Sequence, residues 1–178
     1  MRILGIDPGY AIVGYGILDY EGNKFSVVDY GAILTQAGEP FNERLEYIYD
    51  ELCALMEKYK PQFMSIEKLF YNTNAKTVID VAQARGVTML AAQKHNLSVY
   101  EYTPLQVKQS VVGYGRAEKK QVQQMTATIL NLEAVPKPDD TADAIAMAIC
   151  HAHSSGSSLG NIYSSKPNLK NLKIRNGI

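Results

Sequence analysis

Only two of the 178 residues are cysteine, Cys53 and Cys150, and they form no Cys-x-x-Cys pair. A disulfide framework and a dithiol redox motif are therefore excluded. Long apolar runs are missing too. The longest, over residues 144–150, is far too short to span a bilayer, and the amino-terminal strand lacks the charged-then-apolar pattern of a secretory signal. No membrane association is expected, and the expected location is the cytoplasm. There is no Gly-x-x-x-x-Gly-Lys-Ser/Thr loop for phosphate, no Ser/His/Asp or Cys/His constellation and no internal repeat. The histidines supply no zinc site: Cys150, His151 and His153 sit so close together on one predicted helix that they point in different directions. His95, near the end of another helix, reads as a partner of the helix dipole.

An excess of charge of one sign is also absent. Lys plus Arg and Asp plus Glu each number 18, which argues against a nucleic-acid enzyme until the distribution is considered. Residues 1–67 carry 5 basic and 11 acidic side chains, net −6, whereas residues 68–120 carry 8 and 3, net +5. After Asp143 no acid remains, only Lys166, Lys170, Lys173 and Arg175. Such segregation lets one face hold a cation while another follows a phosphate backbone; ordinary solvated faces account for the same pattern.

What is present is a set of acids at strand and helix ends. The apolar run Arg2-Ile3-Leu4-Gly5-Ile6 stops at Asp7-Pro8-Gly9, so a strand ends at the Asp7 carboxylate and the chain turns there. Asp7 is either a turn former or a ligand. Gly14 and Gly16 lie in the next strand, where a missing side chain leaves room for an approaching ligand. After the helix-stopping Pro61, residues 62–66 read as another strand with Glu67 at its carboxyl end, the place where open α/β sheets present ligand sites. Asp140 and Asp143 are spaced i,i+3 at the start of an alanine-rich helix and share one face. Acids there can complement the helix dipole, a role assigned to Asp139. Carboxylates converging from separate elements suit Mg²⁺.

The periodicity predicts strands over 2–7, 12–19 and 25–34, with Glu21-Gly22-Asn23 as the first turn. A helix follows between Phe41 and Pro61, with Leu45, Ile48, Leu52, Leu55, Met56 and Tyr59 on one face. Next come the strand ending at Glu67, a helix over 74–95, a strand over 97–102, and helices over 104–111, 117–131 and 139–153. Thr103-Pro104-Leu105-Gln106 has the pattern of a capping box with proline at the first helical position. Hairpin-linked strands followed by helix-separated ones make an α/β fold, a five-stranded mixed sheet with helices on both faces. With 46% hydrophobic residues the length suits one core. One domain is expected over 1–153, followed by a flexible basic C-terminal tail over 154–178.

These residues, taken in order, resemble the RuvC-type Holliday junction resolvases of the ribonuclease-H-like superfamily. The resemblance runs from Ile3 to about His153 and rests on Gly5-Ile6-Asp7-Pro8-Gly9 with Gly14-Tyr15-Gly16, Ile66-Glu67 followed by Phe70, Gln83-Ala84-Arg85-Gly86, Gln106-Val107-Lys108-Gln109, Ala117-Glu118-Lys119 and Asp140-Thr141-Ala142-Asp143-Ala144. It implies a Mg²⁺-dependent endonuclease that resolves four-way DNA junctions in recombination and repair by paired symmetric nicks. Asp7, Glu67, Asp140 and Asp143 are the implied catalytic acids and metal ligands for two Mg²⁺ ions, with Mn²⁺ as a substitute. Some relatives have His at the position of Asp143. Lys108 and Lys119 are the implied DNA contacts, and the resemblance favours Phe70 as an aromatic stacking on an unpaired base over ordinary packing. Arg116, in the loop Gly113-Tyr114-Gly115-Arg116, faces either phosphate or water. The implied partners are four-way junction DNA, a RuvA–RuvB branch-migration complex and a second copy of the chain. Two nicks in strands of like polarity require two acidic sites, hence a two-fold homodimer. Ala75, Val78, Ala82, Gly86, Met89 and Ala92 form the candidate dimer face, unless that face only covers the sheet. An actin-like or sugar-kinase-like ATPase also opens with a strand, Asp and glycines, but this chain is short for two lobes; a junction-binding protein without catalysis would have no need of four acids.

Overall fold

The computed structural model describes residues 1–68 and 75–155, without the side chains of residues 75–77. Five strands form one sheet: β1 (Arg2–Asp7), β2 (Ile12–Glu21), β3 (Lys24–Leu34), β4 (Phe63–Glu67) and β5 (Ser98–Tyr102). Their order is β3-β2-β1-β4-β5. The first three form an antiparallel meander, and β4 and β5 join in parallel on the other side of β1. Hairpin β2–β3 turns on Gly22 and Asn23, whose φ values of 53° and 64° are those a tight two-residue connection demands. Parallel pairing needs crossovers, supplied by α1 (Phe41–Tyr59) and α2 (Ala75–Lys94); α3 (Pro104–Val112), α4 (Lys119–Ile129) and α5 (Asp139–Ser155) follow.

Because a strand alternates its side chains, β1 feeds two cores. Leu4 and Ile6 pack with Ile48, Leu52 and Met56 of α1 and Ala84 and Ala91 of α2, while Ile3 points into a second cluster with Val107, Val122, Ile145 and Ile149 of α3 to α5. Covering on both faces explains why β1 reads as a continuous apolar run.

Glycine decides where α5 lies. A Cβ on Gly5 would stand 2.0 Å from the Ala144 carbonyl oxygen, and one on Gly14 would stand 2.0 Å from the Asp140 carbonyl oxygen. The room predicted for a ligand at Gly14 and Gly16 is thus taken by the backbone and side chains of α5, and its first turn is drawn down onto the strand ends.

Two helix limits differ from expectation. α4 is shorter than 117–131 because Glu118 makes a capping box with Gln121 and Leu130 ends the helix, while α5 continues through Ser155, so the tail region proper, from residue 156, lies outside the described residues. The capping box at Thr103 forms with Gln106 as read from the sequence. Asp139 lies in the first turn of α5, where its charge complements the helix dipole as expected, and its carboxylate pairs with Lys137 at 2.6 Å. On α2, Ala92 is buried in the core with Ala84 and Ala91. The exposed apolar positions of that helix are Ile79 (62%) and Leu90 (51%), with exposed Gly86 between them. The outward face is therefore rotated from the one expected. Among the described residues no helix is long and apolar enough to cross a membrane.

Candidate active site

Asp7 and Glu67 end adjacent parallel strands. Ile6 is in register with Ile66, so the next residue on each strand points to the same face, one strand spacing apart, about 4.8 Å. That face carries α5, whose first turns lie over Gly14, the β2 partner of Asp7. A cavity of about 210 Å³ results, lined by Asp7, Glu67 and Asp143, by Lys108 of α3 and Lys119 of α4, and by an apolar wall of Pro104, Val107, Val122, Ala146 and Met147.

Crowded carboxylates in a half-buried cleft resist ionisation. The Asp7 carboxyl is pushed up to about 7, first by burial and then by the charges of Asp143, Glu67 and Asp140. Glu67 is raised too, by burial and then by Asp143. Lys119 works against both shifts. Its ammonium stands 2.7 Å from Asp143 Oδ2 and 3.8 Å from Asp139 Oδ2, and the bond to Asp143 holds its own pKa above the usual lysine value.

Of the four predicted acids, the cavity brings together Asp7, Glu67 and Asp143, while Asp140 acts on Asp7 from beside it. Lys108 and Lys119 reach the same cavity. Arg116 is exposed on the α3–α4 loop and is not part of the cavity wall. Phe70 lies outside the described residues. The donor set, carboxylate oxygens with no thiol or imidazole, fits a hard divalent cation. Among the described residues, however, no group of three His, Cys, Asp or Glu side chains is already gathered as a metal cage, and Asp143 is engaged by Lys119.

Two arginines to which the sequence reading gave no site role support the strand ends from the opposite face. Arg44 of α1 donates from Nε to Thr35 Oγ1 at 2.8 Å and from Nη2 to the Tyr10 carbonyl at 3.3 Å, fixing the loop that follows Asp7. Arg85 of α2 donates from Nε to the Glu67 carbonyl at 3.5 Å and pairs with Glu101 on β5. An arginine on an otherwise core-facing stretch was the available signal for Arg85. Its partner on the next strand was not readable.

Acids at the carboxyl ends of neighbouring strands, answered by a helix crossing that end of a five-stranded mixed sheet, define a ribonuclease-H-like nuclease fold. Residues 3–151 match the family model of crossover junction endodeoxyribonuclease RuvC, and the chain belongs to that family. It is 61% identical over 163 residues to the RuvC of Ruminiclostridium cellulolyticum, covering 90% of this chain and 98% of that one. To the RuvC of Fusobacterium nucleatum it is 54% identical over 177 residues, covering 99% and 92%. Thermus thermophilus RuvC, solved in complex with Holliday junction substrate, superimposes with a TM-score of 0.82 at 29% identity, covering 89% of this chain and 98% of that one. Nucleases of this family are divalent-metal-dependent endonucleases.

Proposed function

We propose that this protein resolves four-way DNA junctions by hydrolysing one phosphodiester in each of two symmetry-related strands, leaving 5′-phosphate and 3′-hydroxyl ends. The observation that carries the reading is the meeting of Asp7, Glu67 and Asp143 in one cavity with Lys108 and Lys119 on its wall. Asp7, Glu67, Asp140 and Asp143 would hold two Mg²⁺ ions, or Mn²⁺ in their place. When bound, the metal would supply an activated water and charge stabilisation for the departing oxygen. The chain's own part is to hold four carboxylates against their mutual repulsion and to present ammonium groups to phosphate oxygens. Lys108 and Lys119 act next to the scissile strand, Arg116 meets phosphate further out on its exposed loop, and Phe70 stacks at the crossover.

A cytoplasmic homodimer would supply the two sites. Ile79, Gly86 and Leu90 lie at i, i+7 and i+11 on α2 and point away from the core, a stripe suited to pairing with its own copy. The RuvA–RuvB complex is the proposed branch-migration partner, and a single nuclease domain is followed by a basic C-terminal segment.

The test is cleavage of a labelled four-way junction with and without Mg²⁺, by wild type, Asp7→Asn and Glu67→Gln. Losing an outer partner of a metal ligand typically costs about 10- to 100-fold, so loss of a ligand itself is expected to cost at least about 100-fold while junction binding survives. Normal nicking by either variant in Mg²⁺ would remove these acids from the mechanism.

A further inference from the structure

Within the cavity, Asp143 is asked to serve two cations. Its Oδ2 accepts from Lys119 Nζ at 2.7 Å, yet the reading above makes the same carboxylate a metal ligand. Mg²⁺ takes carboxylate oxygens at about 2.0–2.1 Å, so an ammonium still bonded to that carboxylate would lie within a few ångström of the ion, where like charges repel strongly. The two cations compete for the charge of one carboxylate even when each takes its own oxygen, and the one held less firmly can leave. Lys119 is able to: it is the first residue of α4, its side chain is 57% exposed, and no core packing depends on its charged end. Lys108, by contrast, lines the same cavity without an ion pair among the described residues.

We propose that Lys119 is an exchangeable counter-ion, which neutralises Asp143 until a DNA phosphate takes its ammonium, so that only the substrate-bound protein offers the cation a fully released carboxylate. Junction binding and cation binding are then coupled through one side chain. The inference rests on Asp143 being a ligand. By linkage, whatever factor the junction gives to cation affinity the cation gives back to junction affinity.

The full-length protein, without DNA, would be titrated with Mn²⁺ and free ion read by electron paramagnetic resonance. Lys119→Met is expected to bind Mn²⁺ about five- to tenfold more tightly than wild type, tenfold being ~1.4 kcal/mol. Lys108→Met, which removes an equal charge from the same wall, is expected to change affinity by less than about twofold, as for a charge outside direct contact. In parallel, fluorescence anisotropy would show Ca²⁺ tightening junction binding in wild type and doing so less in Lys119→Met. Equal Mn²⁺ affinity in wild type and Lys119→Met, or an equal gain in Lys108→Met, would overturn the exchange while leaving the metal site standing. A Mn²⁺ site that survives Asp7→Asn would overturn the metal-site reading itself, and the exchange with it.

Discussion

The Asp7 carboxyl sets activity against stability. Its pKa in the folded chain is about 7, against 3.8 ordinarily, so the folded state binds this proton more tightly than the unfolded state does. Folding is then favoured most below pH about 4, and that contribution is lost as pH rises through about 7. Each pKa unit is worth about 1.36 kcal/mol, which bounds the effect at ~4 kcal/mol. Asp7→Asn, which cannot ionise, is therefore expected to unfold at higher denaturant concentration than wild type at pH 8 without divalent metal. At pH 4 the two should nearly coincide. A difference that grows on acidification would contradict the account of Asp7 as a crowded carboxylate. Asp7 and Glu67 were legible in the chain because each follows an apolar run and stops it. The Lys119–Asp143 pair was not, because it joins α4 to α5 through a contact that no local spacing encodes. Arg44 escaped notice for the same reason, its partners lying just past the end of β3 and on the loop after β1.

Helix α5 is placed by what the strands beneath it lack. Gly14→Ala would drive a Cβ to 2.0 Å from the Asp140 carbonyl oxygen, a backbone atom that cannot step aside without moving the helix. Overpacking of this kind costs about 1–3 kcal/mol, and here the same displacement carries Asp140 and Asp143 away from Asp7. Gly14→Ala is accordingly expected to lose both thermal stability and cleavage, whereas Gly86→Ala, where a Cβ would meet nothing within 4 Å, should be neutral or slightly stabilising. Thermal unfolding and junction cleavage of the two variants check this. The element boundaries were readable from period and caps, as at Thr103 and Gln106. Which glycine served a helix and which a ligand was not, since both uses leave the same letter. On α2 the apolar spacing was real, but the choice between core face and outer face depends on how the helix rolls against α1 and β5. Ala92 fell inward and Leu90 outward. Leu90→Asp is expected to weaken self-association in analytical ultracentrifugation at unchanged unfolding temperature, because the side chain it replaces is exposed in the single chain. Unaltered association would move the proposed interface elsewhere.

At the scale of the whole molecule, one acid-lined cavity faces a substrate with two strands to cut. Among the described residues each chain contributes one set of acids, at the carboxyl ends of β1 and β4. A closed two-fold assembly repeats the cavity with the symmetry of a four-way junction, which a monomer cutting twice in succession would not do. The two models separate when active sites are diluted. If wild type is mixed and re-equilibrated with a large excess of Asp7→Asn, nearly every active subunit is paired with an inactive one. A dimer should then nick one strand of a cruciform-bearing supercoiled plasmid and stop, so that nicked circles accumulate and linear product falls off steeply with the inactive fraction. A monomer that cuts and returns would give linear product in proportion to the wild-type protein present. Proportional linear product under conditions where the mixture sedimentates as dimers would mean that the second nick does not need the partner's acids.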